Sequence, residues 1–220
     1  MPAPTARTLG RLHPFTGHDV PWLLKARAET TPDHTFLIFE PFEGPVQRWT
    51  YKAFHQAVQR LAGGLAAQGV KAGEFVLLHM DNCGEFLITW HAVSRLGGVV
   101  VTTNTRSSAD ELAYYIAHCG AAVAVTQPRY EALVRESGPN LRWVAVTATD
   151  VGETPAAPRS QAALPFEDLA AGDPDLAPER AAEPLAPNSV QYTSGTTSRP
   201  KGVVWTHANA LWGARMNAAA

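Results

Sequence analysis

A strand-and-helix rhythm beginning at Phe75 constrains this chain more than any other feature. Phe75 to Met80 is an almost continuous apolar run, the pattern of a strand covered on both faces. A helix follows over about Gly84 to Leu96, with caps offered by Asp81-Asn82 and a stop at Gly97-Gly98. Val99 to Thr102 is the next strand. Ser108-Ala-Asp-Glu111 reads as a capping box for a helix that carries Leu112, Tyr115, Ile116 and Cys119 on one face. Gly120 closes that helix, Ala121 to Thr126 is a strand, Arg129 to Glu136 is helical, and Trp143 to Thr147 is a strand again. This alternation predicts an α/β fold, a parallel sheet wrapped by helices.

Before the rhythm starts, Asp19 can cap a helix, with Pro21 in its first turn and Trp22, Leu23 and Ala26 as its apolar face. Thr35 to Glu40 reads as a strand, Gly44-Pro45 as a turn, and Val46 to Tyr51 as the returning partner. Thr50 then caps a helix whose apolar set is Phe54, Val58, Leu61 and Leu65. Gly63-Gly64 inside it costs about 1 kcal/mol per residue relative to alanine, which a close packing partner would explain. After Asp150 the periodicity stops. Seven prolines fall between Asp150 and Pro187, so this stretch is expected to be a surface excursion rather than core, with a short element near Pro165 to Ala170. The expected organisation is a tail over 1–18, a first α/β subdomain over 19–149, a Pro/Ala-rich surface loop over 150–187, and the start of a second subdomain over 188–220.

Composition removes several function classes. Eighteen basic and twenty acidic side chains among 220 residues give a net charge of −2, without the basic excess of a nucleic-acid binder. No stretch approaches eighteen apolar residues, so no membrane span is expected. Met1 to Asp19 lacks the apolar core of a secretory signal, and a cytoplasmic protein is expected. Cys83 and Cys119 have no zinc-binding spacing and read as free thiols in a reducing compartment.

The segment that carries chemistry begins at Ser189. Ser189 to Thr193 and Lys201 to Thr206 read as strands around a connector, Ser194-Gly-Thr-Thr-Ser-Arg-Pro200. Neutral donors at Thr193, Ser194, Thr196, Thr197 and Ser198, an open backbone at Gly195, and cations at Arg199 and Lys201 suit a polyphosphate, which offers many oxygens and a large negative charge. A polar hairpin loop with a solvated lysine is the plainer reading, and composition alone does not separate the two. A Walker loop is excluded because Lys201 follows Pro200 and precedes Gly202, and no GxGxxG follows an early strand. Thr206 or His207 would cap a helix from Ala208.

The order Tyr192-Thr-Ser-Gly-Thr-Thr-Ser-Arg-Pro-Lys-Gly-Val203 resembles the phosphate-binding signature of the AMP-forming acyl-CoA synthetases and their adenylating relatives. Ser198 stands where that family usually has a second glycine, and Ser198-Arg199 looks like the branch of carnitine- and crotonobetaine-CoA ligases. The similarity extends upstream through Asp81-Asn-Cys-Gly-Glu-Phe86, Arg95-Leu-Gly-Gly98, Asn104-Thr-Arg106 and Glu111-Leu-Ala-Tyr-Tyr-Ile116, and so covers most of residues 15 to 220. Thr102 departs from it, replacing a common proline. The resemblance implies part of the large N-terminal domain of an adenylate-forming enzyme. It also implies ATP, Mg2+ and CoA as cofactors and a small-molecule carboxylate as substrate. The carboxylate attacks the α-phosphate of ATP to give an acyl-adenylate and pyrophosphate, and the CoA thiol then displaces AMP. Carried over by position, Thr193, Ser194, Gly195, Thr196, Thr197 and Lys201 would hold the β- and γ-phosphates, with Arg199 as a further contact.

No catalytic residue and no metal ligand is assigned to this chain. It runs out in the helical stretch from Ala208 to Ala220, and the family's later motifs, Tyr-Gly-x-Thr-Glu and Thr-Gly-Asp, are absent. The expectation is a truncated N-terminal part of a ligase, inactive alone, with a separate C-terminal chain as its candidate partner. The alternative is a non-catalytic nucleotide-binding or interaction half-domain, or a gene remnant. His79 and His91 are expected as core or surface residues. Trp49, Trp90 and Trp143 are expected to pack, Asp110-Glu111 to answer a helix dipole, and Cys83 to be structural.

Overall fold

The computed structural model describes residues 13–41, 43–193 and 199–218. Helix α1 (Val20–Thr30) starts at Asp19, whose carboxylate accepts the Trp22 N–H at 2.8 Å. Strands β1 (Thr35–Phe39) and β2 (Gln47–Thr50) form the expected antiparallel pair. Thr50 caps α2 (Tyr51–Ala67). The main sheet is built from β3 (Phe75–His79), β4 (Val99–Thr102), β5 (Val123–Thr126), β6 (Val144–Val146), β7 (Leu164–Pro165), β8 (Pro187–Thr193) and β9 (Lys201–Thr206). Its order is β7-β6-β5-β3-β4-β8-β9, parallel throughout except for the antiparallel β8/β9 pair. The connecting helices are α3 (Gly84–Arg95), α4 (Ala109–Cys119), α5 (Glu131–Ser137) and α6 (Phe166–Ala170), and α7 (His207–Ala218) follows β9.

The period of two along each strand sorts the core into two layers. Val76, Leu78, Val100, Val123 and Val125 face α2 and α3, meeting Phe54, Leu61, Leu65, Ala92 and Val93. Leu77, Val99, Val101, Ala124 and Val146 face α4 and α5, meeting Leu112, Ile116 and Val134. Helices on both faces explain why the β3 sequence shows no polar alternation.

Three local readings change. The cap of α3 is not Asp81 or Asn82 but Cys83, whose Sγ accepts the Phe86 N–H at 3.4 Å. Asp81 is drawn off to Thr105 and Tyr130, which bond its two carboxylate oxygens at 3.2 and 2.9 Å. Helix α7 begins at His207, one residue early. Thr206 caps it reciprocally with Asn209, the Thr206 hydroxyl taking the Asn209 N–H while the Asn209 side-chain Oδ1 takes the Thr206 N–H.

The third concerns Asp150 to Pro187, which is not only surface. Phe166, Leu169 and Ala177 are buried in the layer with α2. The segment is the close partner that Gly63-Gly64 required: a Cβ at Gly63 would stand 1.8 Å from the Asp173 carbonyl oxygen, and one at Gly64 would stand 2.1 Å from that of Leu169. Further along, the Arg180 guanidinium pairs with buried Asp19 at 2.7 Å and donates to the Ser94 carbonyl at 3.0 Å. Arg95 answers by donating to the Pro178 carbonyl at 2.8 Å, and the Ser94 hydroxyl donates to Asn188 Oδ1 at 2.5 Å. These bonds seat the chain just before β8 enters the sheet.

Candidate functional site

The parallel strands β3, β4, β5 and β8 end on one edge of the sheet, the edge where open α/β folds receive ligands. Strand direction reverses only between β8 and β9, so the end of β8 and the start of β9 meet at that edge. Thr193 closes β8, Lys201 opens β9, and the two are register partners with exposed side chains. The anticipated phosphate ligands Ser194, Gly195, Thr196 and Thr197 lie outside the described residues, as does Ser198. Of the anticipated set, the structure therefore brings Thr193 and Lys201 together across the mouth of the connector.

Helix α4 supports both ends of that mouth. On the β8 side, the rings of Tyr192 and Tyr115 stack with centroids 4.1 Å apart, and the Tyr192 hydroxyl donates to the Tyr115 carbonyl at 3.3 Å. His118 Nδ1 meets the same hydroxyl at 2.9 Å. Burial, with Cys119 and the neighbouring tyrosines adding to it, pushes the Tyr192 phenol above its ordinary range, so it stays protonated. On the β9 side, the Tyr114 hydroxyl donates to the Pro200 carbonyl at 3.0 Å, and the Arg199 guanidinium lies 5.2 Å over the Tyr114 ring. None of these contacting side chains is acidic. A mouth with a hydroxyl, an ammonium and a guanidinium, and no carboxylate among these contacts, suits an anion.

Beside the mouth, the ends of β3 and β5 carry a buried polar network that the sequence did not announce. His79 Nδ1 meets the Thr103 hydroxyl at 2.8 Å, Thr126 donates to the His79 carbonyl at 2.6 Å, and Gln127 Oε1 accepts the Asp81 N–H at 3.0 Å. Burial lowers the His79 pKa to about 4 against a smaller opposing pull from Asp81, so the ring is neutral at pH 7. Its Nε2 is buried and has no hydrogen-bond partner among the described residues. The only advance signal was a histidine inside an otherwise apolar strand. His207 is also fully buried. Its Nδ1 takes the Val20 N–H at 3.5 Å, a role in joining α7 to α1 rather than in capping. Cys83 is inert: burial, with Glu85 nearby, raises its thiol well above the range of a nucleophile. Among the described residues no group of three or more His, Cys, Asp or Glu stands together as a metal site. A cleft of about 730 Å³ between α1, α2 and the Pro174–Arg180 stretch lies apart from the mouth, and Asp19, Asp175 and Glu179 there balance Lys25, Arg95 and Arg180.

Residues 24–219 match the family model described as AMP-binding enzyme. The chain belongs to that family. A crotonobetaine/carnitine–CoA ligase of Salmonella arizonae is 33% identical over 184 residues, which are 80% of this chain and 34% of the relative. An acyl-CoA synthetase of Brucella canis has the same fold, with a TM-score of 0.77 at 21% identity over 93% of this chain and 36% of its own. The N-terminal domain of Mycobacterium tuberculosis FACL13 aligns with a TM-score of 0.67 at 26% identity, over 86% of this chain and 44% of the other. The chain thus spans about a third of the length of the curated relatives it matches. The matched region is similar to part of those CoA ligases, and its α/β sheet is shared with the two solved structures.

Proposed function

We propose that this chain supplies the polyphosphate grip of an ATP-dependent carboxylate–CoA ligase, a reading that extends to Ser194, Gly195, Thr196 and Thr197 between its two described ends. The observation that carries it is the pairing of Thr193 with Lys201 at the carboxyl edge of the sheet, inside the region matched by the family. Nucleotide bound with Mg2+ would bring the electrophilic α-phosphorus and a pyrophosphate leaving group. The chain's own part is electrostatic: the Lys201 ammonium and the Thr193 hydroxyl meet charge on the terminal phosphates, and that charge grows on the leaving pyrophosphate as the bond to the α-phosphorus breaks. No proton transfer is asked of these residues. A carnitine-like acid is the substrate class favoured by the Ser198-Arg199 variation and by the crotonobetaine/carnitine–CoA ligases among the relatives.

Adenylation also requires a carboxylate held in line with the α-phosphorus, worth several powers of ten in rate. Of the two described cations at the mouth, Lys201 is assigned to the phosphates and Arg199 lies over the Tyr114 ring, so neither is assigned to orient one. The chain alone is therefore expected to bind MgATP weakly and to form no acyl-adenylate, and a separate C-terminal polypeptide is its proposed partner. The test is ATP–pyrophosphate exchange on the chain, alone and co-expressed with a candidate C-terminal ligase fragment. Exchange that appears only with the fragment, is lost in Lys201→Ala and survives in Cys83→Ala is expected. Acyl-adenylate formation by the purified chain, or exchange indifferent to Lys201, would overturn the reading. A non-catalytic nucleotide-binding half-domain predicts MgATP binding with no exchange under either condition.

A further inference from the structure

The connector has two cations at its β9 end, and the structure treats them differently. Arg199 lies over the Tyr114 ring, whereas Lys201 is exposed and makes no ion pair among the described residues. Between them stands Pro200, which has no N–H, so its carbonyl is the only backbone group by which it can be tied down. That carbonyl is the acceptor of the Tyr114 hydroxyl. One side chain thus holds two consecutive residues, through its ring and its oxygen.

We propose that Tyr114 is a positioning residue that selects which cation serves the polyphosphate: it parks Arg199 on its ring and fixes Pro200 so that Lys201 alone is presented at the mouth. The inference rests on the phosphate-grip reading above and goes beyond it by assigning a task to α4. Arginine and lysine are not equivalent here. A released guanidinium would engage phosphate oxygens as a planar fork and compete with the point charge of Lys201. The helix is suited to the task because its start is fixed by the Ser108–Glu111 capping box and its end by a left-handed Gly120. Its neighbours Tyr115 and His118 hold the β8 side of the mouth in the same way, so both sides are referred to one rigid element.

The test uses the whole chain with magnesium pyrophosphate as probe, measured by titration calorimetry, together with hydrogen exchange of the amides around Tyr192 and Gly202. Lys201→Ala is expected to weaken binding about tenfold, the scale of one charge-assisted contact. Arg199→Ala alone is expected to change affinity less than about twofold, because that cation is held away. In Tyr114→Leu the exchange of the mouth amides is expected to accelerate, and Arg199→Ala added to it is expected to produce a new, severalfold change in affinity. Tyr114→Phe retains the ring and is expected to keep Arg199 silent while speeding exchange, and it serves if the leucine variant does not fold.

An Arg199→Ala loss as large as that of Lys201→Ala would overturn the proposal. So would Arg199 and Tyr114 effects that simply add, or exchange at the mouth unchanged in both Tyr114 variants. If wild type and Lys201→Ala bind pyrophosphate equally, the phosphate-grip reading itself falls, and cation selection with it. A wild type that depends on Lys201 while the Tyr114 and Arg199 effects add leaves that reading standing and removes only this one.

Discussion

At the scale of the residue, the buried histidines set the acid limit of the fold. His79, His91 and His207 are each held at about 4 by burial, against an ordinary value of 6.5. Between those two values an unfolded histidine binds a proton and the folded one does not. Stability from these rings is therefore fully present above about pH 6.5 and is lost as pH falls toward 4. For the fully buried His79 and His207 the loss is of order 1–3 kcal/mol each. Urea midpoints measured from pH 7.5 down to 4.5 should fall steeply through this window. A chain with His79→Gln should show a shallower fall. An unchanged slope in that variant would show that His79 titrates in the folded state as it does in water.

At the scale of the element, glycines make opposite predictions in two helices. In α2, alanine is intrinsically favoured over glycine by about 1 kcal/mol. A methyl group at Gly64 would nevertheless meet the Leu169 carbonyl oxygen at 2.1 Å, so backbone must move. Gly64→Ala is expected to destabilise by about 2–4 kcal/mol. In α7, a Cβ at Gly213 meets nothing within 4 Å, and Gly213→Ala is expected to stabilise by roughly 0.5–1 kcal/mol. Equilibrium urea unfolding of the two variants decides both. This contrast also marks what could be read beforehand. The Gly63-Gly64 pair announced a close neighbour, but not that the neighbour was the proline-rich segment, because that contact joins residues more than a hundred positions apart and leaves no local periodicity. The caps at Asp19, Thr50 and Ser108 were legible because a cap is a bond within three residues. Cys83 was missed as a cap because Asp81, two residues earlier, is the better acceptor in isolation and is claimed instead by Thr105 and Tyr130. At the mouth, the residue types of the connector were legible and Tyr114 was not, since its role depends on how α4 lies across β8 and β9.

At the scale of the whole molecule, β9 is one edge of the sheet and, among the described residues, is paired on one side only. Val203, Val204 and Trp205 on it are exposed, together with Trp212 and Met216 on α7. An apolar edge of this kind is a template for pairing with another chain. The purified chain is expected to self-associate with rising concentration in sedimentation velocity, and Val204→Lys is expected to shift it toward monomer. A monomer at all concentrations would show that this edge is already satisfied. The parallel α/β architecture was readable from the alternation after Phe75, while the single reversal at β9 rested on reading the connector as a hairpin.

The wedging of the Asp173 and Leu169 carbonyls against Gly63 and Gly64 has a last consequence. A stretch rich in proline and alanine would ordinarily be the first place a protease enters. Here, residues 169–180 cannot peel away without leaving a trench along α2 and breaking the Arg180–Asp19 bond, so their opening is coupled to loss of the core. Brief digestion with proteinase K should nick the largely exposed run 154–158 and spare residues 169–180 until the molecule as a whole unravels.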